Sequence, residues 1–294
     1  MARTKAMSQT SRDSVGSRSM FPLAFRPPQW PAGYAFKSTY SAGLYGPKRN
    51  HIFAHLMAQV ARLAVHLAQP IRGRWAEIGC GPGALLPSLM EYCELTVGVD
   101  YNVATNLDAS ALTRWMCGRS VVVRGDAYAL PIKQGSLDGL VALETVEHLD
   151  ENRVFTECLR VLRPGGILVF SIPVEVGMSL FIRQIARAAL RRRNPHFSPM
   201  PYPLGDLVRM ALKSGDIELH RSKRVPSPYH HLYFSYRACL EEARRRFHVE
   251  HIEWCPLPGP WAFSLIVRAR APRGSGHGGR AVNGPSPRIC ATPL

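Results

Sequence analysis

The chain has no apolar run approaching the roughly 18 residues of a membrane-spanning helix, which speaks against an integral membrane protein. Its N-terminus lacks the continuous apolar stretch of a secretory signal. The first residues are rich in Arg and Ser with one acid, Asp13, a composition shared with organelle transit peptides, but a disordered tail is the simpler expectation. Paired cysteines are lacking too. The seven, at 80, 93, 117, 158, 239, 255 and 290, show no metal-ligand spacing, so no zinc site is expected. An odd number without export signals points to reduced thiols and a cytoplasmic setting.

Acidic residues are scarce. Lys and Arg number 37 against 21 Asp and Glu in 294 residues, a formal charge of +16. The excess is not evenly spread: residues 1–50 carry +7, 51–174 carry −2, 175–240 carry +7 and 268–294 carry +5. A near-neutral middle with basic tails and one basic insertion fits attraction to an anionic surface or substrate as well as simple solubilisation. It lacks the aromatic stacking motifs of a nucleic-acid domain, so nucleic acid is not an expected partner.

What the chain does have is Trp75-Ala-Glu-Ile-Gly-Cys-Gly-Pro-Gly-Ala-Leu-Leu86: an apolar strand ending on an acid, a glycine-rich turn, and a helix start. A turn without side chains lets backbone N–H groups and a helix N-terminus approach a polar ligand. Gly79, Gly81 and Ala84 satisfy the dinucleotide fingerprint, while Glu77, Gly79, Gly81 and Gly83 equally satisfy a methyl-donor pattern. Cys80 inside the turn is read as a backbone contact. Leu95–Asp100 reads as a second strand, and Asp100 is placed to accept from ribose hydroxyls, with Tyr101 beside it. The competing use of Asp100 is as a cap for a helix starting near Val103.

Further along, Val121–Asp126 is a strand ending in Gly-Asp, followed by Ala127. Gly135-Ser-Leu-Asp leads into a fourth strand, Gly139–Glu144, and then Thr145-Val-Glu147-His148. A helix containing Glu157–Leu162, a turn Arg163-Pro-Gly-Gly166, and a fifth strand Ile167–Ile172 complete the series. In this order and spacing, residues 75–173 resemble the class I S-adenosylmethionine-dependent methyltransferases, nearest the type 11 branch of ubiquinone and menaquinone biosynthesis. The resemblance implies S-adenosyl-L-methionine as cofactor, with Glu77, Gly79, Cys80, Gly81, Gly83, Asp100, Tyr101, Asp126, Ala127 and Glu144 around it. It also implies Asp126 and the Ala127 N–H as adenine contacts.

The expected fold is α/β: a doubly wound, mostly parallel seven-stranded Rossmann-like sheet with an antiparallel end. His51–Leu67 has the spacing of an amphipathic helix, Phe234–Phe247 reads as a late helix, and His248–Trp254 and Ala262–Ala269 as closing strands. The domain is expected over 51–273, between a basic extension (1–50) and a loose tail (274–294), with a substrate-side insertion at about 174–233. In that insertion Met178, Phe181, Ile182, Ile185, Ala186 and Ala189 form an apolar stripe, and Arg183, Arg187 and Arg191 follow another face. Such a helix over Met178–Arg193 can lie in a membrane interface. The commoner arrangement, expected here, packs the stripe on the domain and leaves the arginines in water.

Methyl transfer to a phenol, hydroxyl or amine needs a proton acceptor, for which His148 is the candidate base, with Glu147 either orienting it or contacting the cofactor. Tyr45, Tyr229, His230 and His231 are candidates for lining the acceptor pocket. The expected partner is a small-molecule acceptor, lipid-like or a natural product; oligomeric state is not legible. Two other classes share some of these signals: a nicotinamide-dependent oxidoreductase, and a non-catalytic cofactor-binding scaffold.

Overall fold

The structure is a computed structural model that describes residues 26–46, 51–115, 120–175, 177–190, 201–212, 223–227, 232–258 and 261–273. Seven strands form one sheet: β1 (Arg74–Ile78), β2 (Leu95–Asp100), β3 (Ser120–Arg124), β4 (Leu137–Ala142), β5 (Leu162–Pro173), β6 (His248–Cys255) and β7 (Ser264–Arg270). Their order is β3-β2-β1-β4-β5-β7-β6. The first five run parallel, and β7 is antiparallel to both β5 and β6. The expected doubly wound sheet with an antiparallel finish is therefore observed.

The order reverses at β1, between β2 and β4. In open parallel sheets a crevice forms there, beyond the carboxyl ends of the strands. β1 is buried almost throughout, as a central strand covered on both faces should be. One face of the sheet packs Phe155, Phe170 and Phe247; the other packs Val65, Trp75 and Leu89. Close packing at β1 and β4 depends on Gly139, where a Cβ would stand 2.4 Å from the Trp75 ring.

Helices α1 (Thr39–Tyr45), α2 (His51–Ala68), α3 (Leu86–Tyr92), α4 (Val103–Trp115), α5 (Glu151–Val161), α6 (Gly177–Leu190), α7 (Leu204–Leu212) and α8 (Tyr236–Arg246) complete the described elements, with one 3-10 turn at Val146–His148. Most bounds agree with the sequence to a residue or two. The Arg163–Gly166 turn differs: it lies within β5 as an irregularity, and the β4–β5 register jumps from Leu137↔Leu162 to Gly139↔Ile167. Gly165, at φ +76°, allows the chain to make that jump.

The orientation of α6 corrects the sequence expectation. Arg183 and Arg187 face inward, and Ile182 and Ile185 are exposed, Ile185 at 69%. The cause is Glu175, just beyond β5 and 1% exposed. A carboxylate buried that deeply requires countercharge. Arg187 supplies it at 2.7 Å and Arg183 at 3.2 Å, both on Glu175 Oε1. Arg183 also stacks 4.0 Å from the centroid of the Phe263 ring and donates to the Phe263 carbonyl. Satisfying one buried acid outweighs burying two isoleucines, so the stripe turns outward. Arg191 to Arg193, and with them the end of the expected helix, lie outside the described residues.

Candidate active site

The glycine turn begins where β1 ends. Gly79, Gly81 and Gly83 take φ values of +65°, +50° and +85°, the left-handed region that side-chain-bearing residues avoid. Gly79 N and Cys80 N both donate to Val99 O, fixing the turn to β2. At Gly79 a Cβ would meet Thr145 Oγ1 at 2.3 Å, so the chain there has no room for one. At Gly81 a Cβ would meet Tyr40 Cε1 at 3.9 Å, an ordinary contact with the tyrosine that lies over the turn.

The acids expected at this site are brought to it. Asp100 closes β2, and its Oδ2 accepts from Gly81 N at 2.8 Å. Its Oδ1 accepts from Asn102 N and Thr105 Oγ1, so Asp100 also stabilises the first turn of α4. Oδ2 retains a second lone pair for a ligand hydroxyl. Glu77, 4% exposed, has an Oε2 with no hydrogen-bond partner. Burial, and then the charge of Asp100, push its carboxyl well above the usual range. Cys80 is buried, and burial pushes its thiol up as well, which argues against a nucleophile.

Asp126 lies on the rim, its Oδ1 accepting from Tyr128 N, with Ala127 half-buried next to it. Tyr101 is exposed at 68%, with the Arg124 guanidinium 5.2 Å from its ring centroid.

Across the turn stand Glu144 and Glu147. Glu144 adopts φ +47°, a strained conformation for a residue with a side chain. Two hydroxyls hold it: Ser171 Oγ and Ser264 Oγ donate to its Oε1 at 2.9 and 2.7 Å. Glu147 is 2% exposed with an unpartnered Oε2. Burial first, and the Glu144 charge second, hold its carboxyl toward the protonated form. His148 Nδ1 lies 3.0 Å from Ser227 O. That carbonyl can only accept, so Nδ1 carries the proton and Nε2, 4.0 Å from Glu147 Oε1, is the basic nitrogen.

One residue escaped the sequence reading. Tyr40, in the first turn of α1, sets its ring edge toward Gly81. The residue is 39% exposed, but burial of its hydroxyl end, followed by the charges of Glu144, Glu147 and Asp100, raises that hydroxyl above the usual tyrosine range. Tyr45 stands behind it, with its ring centroid 4.5 Å from that of Trp30; burial, Tyr40 and Glu77 raise its hydroxyl too. The signal available in sequence was the Ser38-Thr-Tyr40 cap at the start of a short helix. Tyr229, His230 and His231 lie outside the described residues. Among the described residues no group of three or more His, Cys, Asp or Glu side chains is placed to hold a metal ion.

The sheet order, the switch point and the glycine turn define the class I methyltransferase fold, of the Rossmann-like α/β type. Residues 76–170 match the family model described as a methyltransferase domain. Over 104 residues the chain is 34% identical to a "Probable S-adenosylmethionine-dependent methyltransferase" of Mycolicibacterium smegmatis, covering 35% of this chain and 39% of that protein. A protein of the same description from Mycobacterium tuberculosis is 33% identical over 104 residues, covering 35% and 36%. The match thus spans well under half the length of these relatives.

Among solved structures, the PH0226 protein of Pyrococcus horikoshii OT3 is similar with a TM-score of 0.54, 17% identity, and coverage of 80% of this chain and 99% of that one. A protein solved in work on conversion of a disulfide bond into a thioacetal group during echinomycin biosynthesis has a TM-score of 0.52 at 18% identity, covering 73% and 81%. These two likenesses concern the fold.

Proposed function

We propose that the protein is an S-adenosyl-L-methionine-dependent methyltransferase acting on a small-molecule acceptor with a large apolar part. The observation that carries the reading is the turn at Gly79–Gly83, left-handed at three glycines, with Tyr40 over Gly81 and with Asp100 and an unpartnered Glu77 oxygen beside it. These features fit the cofactor: a turn without side chains that lets it approach closely, Asp100 for its nucleoside part, and the unpartnered Glu77 oxygen for its polar groups. The antiparallel end of the sheet stands where a dehydrogenase would carry a second mononucleotide half, so nothing favours the nicotinamide alternative.

When bound, the cofactor supplies an activated methyl carbon on a sulfonium. The chain's own residues align the acceptor and exclude water. Asp100, fixed through its Oδ2 by Gly81 N–H, would hold the nucleoside end together with Asp126 and the Ala127 N–H. Tyr40 covers the turn. His148 Nε2 takes the acceptor proton, while the Nδ1–H bond to the Ser227 carbonyl keeps the ring in the required tautomer. Glu147, held neutral, adds no charge that would trap the proton on His148.

A phenol or quinol, the acceptor class of the ubiquinone-type branch, suits this base. A lipid-like acceptor suits the insertion. Ile182 and Ile185 on α6, with Leu204 and Val208 on α7, are exposed apolar side chains in a segment of +7 charge. Such a surface supports peripheral contact with an anionic membrane. No described helix is long and apolar enough to cross one. The test is transfer of a labelled methyl group to quinols, phenols and amines, with and without anionic vesicles. Label on a quinol or phenol, enhanced by vesicles in wild type and not in Ile185→Asp, supports the reading. Label on amines alone, or vesicle-independent turnover, removes the acceptor or the membrane part respectively.

A further inference from the structure

Residues 26–46 form a strap over the carboxyl edge of β1 and β2, and its fastening is unusual. Asp108, in the middle of α4, is fully buried. Among the described residues its carboxylate accepts hydrogen bonds from the strap alone: Lys37 N at 2.8 Å and Tyr34 Oη at 3.0 Å on Oδ1, and Ser38 N at 3.1 Å on Oδ2. Its backbone carbonyl accepts from Trp30 Nε1 at 3.3 Å. Burial and that bond push the Tyr34 hydroxyl up to about 12, keeping it a donor. A carboxylate buried this deeply depends on such donors, so the strap and α4 stabilise one another.

The fastening continues directly into the site. Ser38, whose N–H binds Asp108, is the N-cap of α1, and its Oγ accepts from Tyr40 N and Ser41 N. Tyr40 is two residues from the fastened N–H and carries the ring set against Gly81. Trp30, hydrogen-bonded to Asp108, packs on Tyr45 at the other end of α1. Ser88 on α3 separately pins Arg26, donating to its carbonyl and accepting from its N–H.

We propose that Asp108 is the positioning residue that locks the strap shut over the cofactor, acting through Ser38 and Tyr40 without touching the ligand. The inference rests on the glycine turn being the cofactor site. Its consequence is kinetic: the ligand leaves at the rate at which the Asp108 bonds break, because Tyr40 must lift with the strap.

The test uses the full chain, S-adenosylhomocysteine as the probe, and Asp108→Asn, which keeps shape but turns one acceptor into a donor facing N–H groups. The expected result is at least a tenfold faster dissociation in Asp108→Asn and a smaller increase in Tyr34→Phe, which removes a single bond. In a Tyr40→Ala background the Asp108→Asn effect should shrink to less than twofold, since the coupling runs through Tyr40. A purely structural role for Asp108 would leave its effect intact in that background and would overturn the proposal.

A second arm needs no ligand. Trypsin cleavage after Lys37, located by mass spectrometry, should accelerate at least tenfold in Asp108→Asn and measurably in Tyr34→Phe. Unchanged cleavage in both variants would overturn the lock. If wild type bound no S-adenosylhomocysteine, the site assignment would fail while the cleavage arm still decided whether Asp108 holds the strap.

Discussion

Replacing Gly79 and Gly81 in turn by alanine separates the two things the turn provides, a fold and a surface. At Gly79 the new Cβ is held at φ +65°, a left-handed conformation costing about 1–2 kcal/mol for an alanine. It also stands 2.3 Å from Thr145 Oγ1 and 2.6 Å from Thr145 Cγ2. Thr145 cannot simply swing aside, because its hydroxyl binds Leu143 O at 2.9 Å and Ile78 O at 3.3 Å, joining the ends of β4 and β1. Overpacking of that kind adds about 1–3 kcal/mol. The sum, about 2–5 kcal/mol, corresponds to a fall in Tm of roughly 4–20 °C for a domain of this size.

Gly81→Ala carries the strain alone. Its Cβ meets only Tyr40 Cε1 at 3.9 Å, an ordinary contact, so about 1–2 kcal/mol and roughly 2–8 °C are expected. The added methyl, however, occupies the space above the turn, and affinity for S-adenosylhomocysteine should fall at least tenfold. Calorimetry of the two variants, with and without the ligand, measures both quantities. Equal losses of Tm would refute the packing argument at Thr145. Wild-type affinity in Gly81→Ala would refute the placement of the ligand.

Three further outcomes follow from the same geometry. Glu77 holds its proton in the folded protein to a higher pH than when unfolded, so its contribution to stability is present below the unfolded value and declines as pH rises through the folded one. Glu77→Gln should therefore match wild type near pH 4 and exceed it increasingly toward pH 8 in Tm; parallel pH profiles would contradict the burial cause. Glu175→Gln removes the carboxylate that Arg183 and Arg187 share inside the domain, a loss of about 3–5 kcal/mol by denaturant unfolding, and an unchanged midpoint would mean that α6 is not turned by that pair. His148→Gln should reduce turnover by about 10²–10⁴-fold while leaving S-adenosylhomocysteine affinity within about twofold, and retained turnover would remove His148 as the base.

The fold was legible because its determinants are local. Apolar strands ending in Glu77, Asp100 and Asp126, each followed by turn chemistry, indicate a parallel sheet whose strand ends collect acids at one edge. The switch point then follows from strand order alone. Positions that depend on long-range satisfaction were not legible. The apolar period of α6 indicated an inward stripe, and only the depth of Glu175, set by β5 and Phe263, reverses it. The role of Asp108 was hidden for the same reason: within α4 it looks like an ordinary polar position, and its donors lie some 70 residues earlier in the chain. Tyr45, expected to line the acceptor pocket, packs on Trp30 behind Tyr40, and Tyr40 lies nearer the turn, since Ser38 starts a helix too short to show a period.

The most direct test is one titration: the purified 294-residue protein against S-adenosylhomocysteine by calorimetry, with NAD as the comparison. Saturable binding of S-adenosylhomocysteine at one site per chain, with no heat from NAD, is the predicted result. Binding of NAD and not of S-adenosylhomocysteine would contradict the assignment of the Gly79–Gly83 turn and the chemistry built on it.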